Sequence, residues 1–341
     1  MYSFVNDYSE GAHPRILEAM QRSNLEQNKG YGMDIHSTAA KDYIRALLQK
    51  ENAEIHLLPG GTQTNLLVIS SFLRPHECVI AADTGHINVH ETGAIEATGH
   101  KVVTMPEQEG KLTPEAIQQV LDYHSGEHMV KPKMVYLSNA TELGTIYTKQ
   151  ELTRIHLLCK ERKLYIFLDG ARIGTALTSK ENDLTLPEIA ELVDVFYIGG
   201  TKNGALIGEA LCILREELKE EFRFMIKQRG AMLAKGFLLG IQFEELFRDD
   251  LYFTLAEHAN RMAERIATTL KECHIAFQAP PITNQLFPIL PDSLIHELTK
   301  EFDFLVMERR DETHSILRLV TSWATTEESV ERLCEFFRKY Q

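Results

Sequence analysis

The chain has 341 residues, 44% of them apolar and 25% charged, values that suit a globular protein with a large core and a smaller second unit. Its formal charge of −13 and lack of any extended Lys/Arg patch argue against a nucleic-acid partner, and no apolar run approaches the roughly 20 residues of a membrane span. The five cysteines show no CxxC spacing and the N-terminal MYSFVNDYSEGAHP lacks a basic start before an apolar stretch, so a reducing, cytoplasmic setting is expected.

Apolar, β-rich runs alternate with helical patterns through the first two thirds. IHLLP at 55–59 comes first and leads through Gly60-Gly61-Thr62 into the helical TNLLVISSF. Two glycines and a threonine at such a junction offer free N–H groups and a hydroxyl to an anion, which makes a phosphate cradle; a plain strand-to-helix turn is the competing reading. The stretch has neither the lysine of GxxxxGK[ST] nor the spacing of GxGxxG, so a nucleoside triphosphate or a dinucleotide is disfavoured.

CVIAA at 78–82 ends in Asp83-Thr84-Gly85-His86. His86 could lie against a flat ring or act as a base near neutral pH. With His90 and Glu91 it also has a zinc-like i, i+4 spacing, but the sequence identifies no further ligands and no metal is expected. KVVTM at 101–105 follows, then a helix opened by Thr113-Pro114-Glu115. KMVYLS at 133–138 precedes Asn139, and Thr148-Lys149-Gln150-Glu151 forms a capping box for LTRIHLLCKERK.

LYIFLD at 164–169 closes on Asp169, and a carboxylate that deep is costly unless paired. Arg172, about one turn away, would neutralise it, or another cation such as a protonated pyridine nitrogen would; an Asp capping the next turn is the structural alternative. VDVFYIG at 193–199 runs into Gly200-Thr201-Lys202. An ammonium among small residues at the end of a buried strand loses hydration, which favours the neutral amine that a Schiff base needs. The neighbouring glycines are expected to let a flat ring approach the backbone. A solvated loop lysine is the alternative.

EALCIL at 209–214 completes seven runs. Long helices are expected from Gly230 to about Phe247 and from about Tyr252 to Cys273, and Thr325-Thr326-Glu327-Glu328 caps the final SVERLCEFFRKY. The alternation predicts an α/β fold, a mostly parallel seven-stranded sheet with helices on both faces, followed by a smaller α+β C-terminal domain. The expected division is an N-terminal arm and large domain over 1–247 and a small domain over 248–341.

Open α/β sheets bind ligands beyond the carboxyl ends of their strands. There this chain sets a phosphate cradle, a buried anion, an imine-forming amine and a stacking residue, the four features that pyridoxal phosphate requires. The residues also resemble a known family. NDYSEGAHP, GYGMD, PGGTQTN, FLDGARIG, GGTKNGALIG and RLVTSWATTEE, spread over nearly the whole chain, are similar to threonine aldolases of the β-eliminating lyase group, with FLDGARI followed by TK the specific part. These enzymes have the aspartate-aminotransferase-like fold type I and use pyridoxal 5'-phosphate.

The resemblance implies that Lys202 forms the covalent link to the cofactor, that Asp169 binds the pyridinium nitrogen, and that Gly60, Gly61 and Thr62 hold the phosphate. His86 stacks on the ring, Asn139 faces the cofactor, and Arg172 and Arg318 grip the substrate carboxylate. His128 is implied near the substrate hydroxyl. Arg229 and Lys235 fall in a segment that binds phosphate across a subunit interface, and Tyr31 resembles a residue given to a neighbour's site. A homodimer or homotetramer with shared active sites follows.

Three departures from the family pattern bear on substrate binding. Asn6 and Thr201 replace serines, and Ala140-Thr141-Glu142-Leu143 lacks the usual histidine. The implied activity is that of a low-specificity L-threonine aldolase, which cleaves L-threonine, L-allo-threonine and other small β-hydroxy-α-amino acids to glycine and an aldehyde. The base that takes the hydroxyl proton is His128, His86 or a bound water. A β-eliminating lyase or an aminotransferase on the same scaffold is the rival enzyme, and a silent cofactor-binding protein the rival from another class.

Overall fold

The computed structural model describes residues 1–340. A two-residue strand, β1 (Tyr2–Ser3), starts the chain, and all seven apolar runs then form strands: β2 (Glu54–Leu58), β3 (Glu77–Ala82), β4 (Val102–Met105), β5 (Lys131–Ser138), β6 (Tyr165–Asp169), β7 (Val195–Gly199) and β8 (Glu209–Ile213). They make one sheet in the order β2-β8-β7-β6-β5-β3-β4, in which β8 alone runs against its neighbours.

The side chains explain the layering, because successive strand residues point to opposite faces. Ile80, Val135, Leu137, Ile166, Leu168, Phe196 and Ile198 join one apolar cluster. Their alternates Val79, Ala81, Met134, Tyr136, Phe167, Val195 and Tyr197 join another on the opposite face. A sheet covered on both faces has no solvent side, which is why β3, β7 and β8 are buried at every position.

Helix starts follow the capping signals. Thr113 and Thr148 cap helices Pro114–Tyr123 and Lys149–Arg162, the second with a complete capping box, and Thr326 caps Glu327–Lys339. The helix expected from Gly230 to Phe247 starts late, at Phe237, and a separate helix precedes Gly230. Phe222–Gln228 ends where Gly230 takes φ +77° and Ala231 N–H bonds the Ile226 carbonyl, and a new helix begins at Phe237. Leu251–Glu272 is the second expected helix, set off by Asp249 and Asp250 with left-handed φ.

The C-terminal region holds β9 (Gln285–Leu286), β10 (Ile289–Pro291), β11 (Phe302–Asp303), β12 (Leu305–Arg309) and β13 (His314–Val320). β13 pairs antiparallel with β9, β10 and β12. Met262, Ile266 and Leu270 pack with Leu317, Leu319, Val330, Leu333 and Phe337 in a third apolar cluster. Phe4 belongs to that cluster, and β1 pairs with β11, so the N-terminal arm is fastened to the C-terminal region before it crosses to the large sheet. Among the described residues no helix is long and apolar enough to cross a membrane, and all five cysteines are free thiols.

Candidate active site

The polar residues that follow β2, β3, β5, β6 and β7 emerge at one edge of the sheet, and the reversed β8 starts there. Asp169 ends β6 beside Ser138, the last residue of β5. One of its oxygens accepts from the Tyr136 hydroxyl at 2.5 Å and from Asn65 Nδ2 at 3.4 Å, and the other accepts from the Ala171 N–H at 2.9 Å. Burial and then the Asp169 charge raise both the Tyr136 and Tyr197 hydroxyls well above the ordinary phenol value, so both stay protonated donors.

Arg172 does not neutralise Asp169. Its guanidinium makes a bidentate pair with Asp7, Nε to Oδ2 at 2.7 Å and Nη2 to Oδ1 at 3.0 Å, and Asn284 Nδ2 donates to the same carboxylate at 2.9 Å. Burial by itself would raise the Asp7 carboxyl, but Arg172 and Lys202 outweigh it and hold it below its usual value.

Lys202 lies in the turn after β7 and has no hydrogen-bond or ion-pair partner among the described residues. Burial, and then Arg172, lower its pKa against the pull of Asp7, Asp169 and Glu209. The glycines around it are also required by packing within the chain. A Cβ on Gly170 would lie 1.8 Å from the Tyr197 carbonyl, one on Gly199 2.4 Å from the Ala171 carbonyl, and one on Gly200 2.8 Å from the Phe243 ring. They let the ends of β6 and β7 interlock. Thr201 donates to Glu209 Oε1 at 2.9 Å and accepts from the Gly208 N–H at 3.0 Å.

Gly60 opens helix Gly61–Phe72 with no side-chain cap, which leaves the Gly61, Thr62 and Gln63 N–H groups unbonded within the described residues. A Cβ on Gly60 would meet nothing within 4 Å. Gln63 Nε2 donates to the Arg229 carbonyl at 2.9 Å, which brings Arg229 beside this cradle; among the described residues its own Nε is buried without a partner. Lys235 and Tyr31 lie further out and are exposed, with the Tyr31 N–H on the Ala234 carbonyl and the Lys227 ammonium 4.9 Å from the Tyr31 ring.

His86 opens the short helix His86–Val89, and its Nδ1 lies 2.8 Å from the buried Glu91. Asn65 Nδ2 donates to the same Glu91 oxygen at 2.7 Å, so His86, Glu91, Asn65 and Asp169 form one chain of hydrogen bonds. Among the described residues no three His, Cys, Asp or Glu converge as metal ligands. The His86 N–H and the Ser138 hydroxyl both donate to Glu142 Oε1, at 2.9 and 2.8 Å, and burial and Asp169 raise the Glu142 carboxyl. Asn139 is buried between the Asp169 carbonyl and the Tyr147 N–H, the latter on its side-chain oxygen.

Arg318, on β13, donates from Nη2 to Gln285 at 2.9 Å, while its Nε is buried with no partner among the described residues. Burial and the neighbouring Arg172 push it down to about 10. A desolvated guanidinium with a donor to spare suits an anionic ligand.

Besides Lys235 and Tyr31, two more implied residues fall outside this cluster within one subunit. His128 is exposed in the loop before β5, at the opposite end of that strand from Asn139. Asn6 turns its side-chain oxygen back to the Tyr8 N–H and the Ser9 hydroxyl, and it is the next residue, Asp7, that enters the site. Asp7, Asn65, Glu91, Tyr136, Tyr197 and Glu209 are contributors that the sequence reading missed. Glu209 carried a signal, a charge opening an otherwise apolar strand run, and Glu142 one as well, standing in the run where a histidine was expected.

Comparison with known proteins gives the chain's family and fold. A family model described as β-eliminating lyase matches residues 5–292. The low specificity L-threonine aldolase of Pseudomonas aeruginosa is 30% identical over 98% of this chain and 96% of its own length, and that of a Pseudomonas species is 29% identical with the same coverage. A threonine aldolase structure from Leishmania major superposes with a TM-score of 0.99 and 53% identity, over 100% of this chain and 99% of the other. A Thermus thermophilus aspartate aminotransferase shares the fold, with a TM-score of 0.74 at 14% identity over 100% of this chain and 92% of its own. These relatives are pyridoxal phosphate enzymes of fold type I. The chain belongs to the β-eliminating lyase family.

Proposed function

We propose that this chain is a low-specificity L-threonine aldolase, which cleaves L-threonine, L-allo-threonine and similar β-hydroxy-α-amino acids to glycine and an aldehyde. The observation that carries the reading is the unpartnered Lys202 amine, lowered in pKa, at the strand edge that also holds Asp169. The full-length likeness to threonine aldolases of Leishmania major and Pseudomonas supports it.

The residues fit pyridoxal phosphate. The free N–H groups of Gly61, Thr62 and Gln63 at an open helix start suit a phosphate, with Thr201 and Asn139 nearby on the strand edge. Lys202 suits the covalent link, Asp169 the protonated ring nitrogen, and the imidazole of His86 a ring face. When bound, the cofactor supplies the electron sink that allows a Cα–Cβ bond to break.

The protein's own groups do the rest. Tyr136, Asn65 and the Ala171 N–H hold Asp169 in one place, so its charge is aimed rather than mobile. Arg318, with its free Nε, and Arg172, oriented by Asp7, bind the substrate carboxylate. His86 Nδ1 is taken by Glu91, which leaves Nε2 as the nitrogen able to accept the β-hydroxyl proton. Glu142, which accepts from the His86 backbone N–H and whose carboxyl burial and Asp169 raise, lies beside that transfer. The proton lost by the hydroxyl is returned to Cα, giving glycine.

Arg229, Lys235 and Tyr31 are assigned to a site shared with a second copy, in a cytoplasmic homodimer or homotetramer; the buried unpaired Nε of Arg229 and the exposure of Tyr31 support this. A large domain over 1–247 and a small one over 248–341 remain the proposed division. The test is a product assay with L-threonine, L-allo-threonine, phenylserine and L-serine. Glycine and aldehyde in equal amounts support the reading, and pyruvate or keto acids without glycine contradict it.

A further inference from the structure

Glu209 opens β8 in register with Leu58 on one side and Gly199 on the other, and is 4% exposed. Both its oxygens are used: Oε1 accepts from the Thr201 hydroxyl at 2.9 Å and Oε2 from the Gly200 N–H at 3.2 Å. The carboxyl therefore grips the two residues that precede Lys202. Asp169 from β6, Tyr197 from β7 and Tyr252 from helix Leu251–Glu272 also act on it, and the cation that does so is Lys202. Around Lys202 itself stand Asp7 and Arg172, whose charges are already committed to one another. A buried carboxylate in such company requires a counter-charge.

We propose that Glu209 is the positioning residue and through-space counter-charge of Lys202: it fixes the Gly200–Thr201 turn and sets a negative charge near the lysine's amine. The carboxylate holds Thr201 and Gly200 rather than the amine, so the two charges act on one another through space and a proton that Lys202 loses goes to solvent. Burial raises Glu209 to about 8, so its titration overlaps the pH range in which a neutral Lys202 is needed. The inference rests on the reading of Lys202 as the reactive amine, yet it concerns the cofactor-free chain and stands or falls separately from the product assay.

The experiment labels Lys202 in the full-length, cofactor-free chain with an amine-directed acylating reagent across pH, quantified by peptide mass spectrometry, with Lys41 as internal reference. Because the Glu209 charge stabilises the ammonium, E209Q should move the Lys202 midpoint down by about one pH unit, leaving Lys41 unmoved. The wild-type Lys202 curve should itself be broader than a one-proton titration, a measurement independent of whether E209Q folds. Coincident Lys202 midpoints in wild type and E209Q, or a wild-type curve of ideal one-proton shape, would overturn the proposal. A merely structural role would lower the melting temperature of E209Q with the midpoint in place.

Discussion

Asp7 and Arg172 show how one buried pair sets the charge of the site. Arg172 has one face committed to Asp7, which fixes its plane; Arg318 has a carbonyl-type partner in Gln285 and a donor left over. Arg318→Ala should therefore raise the substrate KM by about 10- to 100-fold, the worth of a charge-assisted hydrogen bond, with little change in melting temperature. Steady-state kinetics on L-threonine check this, and an unchanged KM would remove Arg318 from carboxylate binding. Asp7→Asn strands a buried guanidinium, so stability should fall by about 3–5 kcal/mol in denaturant melts. Because the native Asp7 pKa lies below its unfolded value, its contribution is fully present above about pH 4 and fades as pH falls through the lower native value. The wild type should thus lose more stability than Asp7→Asn over that acidic window. Lys202, Asp169 and Arg172 were legible in the sequence because each ends or follows an apolar strand, while Arg318, inside β13, came only through the family resemblance. Asp7 was not legible, and for Glu91 and Glu142, which the sequence does single out, the roles come from partners brought near only by the fold.

Elements were legible where local chemistry decides them. The seven strands were read from runs of β-branched and aromatic residues, and the helix starts from Thr caps, because capping depends on a residue and its neighbours three positions on. Removing one such cap, Thr148→Ala, should cost about 1 kcal/mol in thermal or chemical melts and leave kinetics unaltered; a loss of activity instead would mean that the helix Lys149–Arg162 positions the site. The start of the helix expected at Gly230 comes instead at Phe237, because residues 231–235 are good helix formers in sequence while Gly230 takes φ +77°. The packing role of the glycines was not legible either. The Gly170 position is filled against the Tyr197 carbonyl, so Gly170→Ala must push β6 from β7 and should lower both the melting temperature and the occupancy of the cofactor site, whereas room for a ring there would have made the substitution mild for stability.

At the scale of the whole molecule, the site depends on segments far apart in sequence. The N-terminal arm is anchored by Phe4 in the C-terminal apolar cluster and carries Asp7 to the large sheet, while β13 brings Arg318 from the other end of the chain. No periodicity in the sequence encodes that meeting, and the placement of His128 away from the cluster in one subunit shows the same gap in reverse. In the proposed function all of these groups serve the amine of Lys202. The most direct measurement is borohydride reduction of the pyridoxal phosphate-loaded enzyme, followed by peptide mapping. The predicted result is one pyridoxyl adduct on the peptide containing Lys202, absent from Lys202→Ala; an adduct on a different lysine, or an unchanged adduct in Lys202→Ala, would contradict the account.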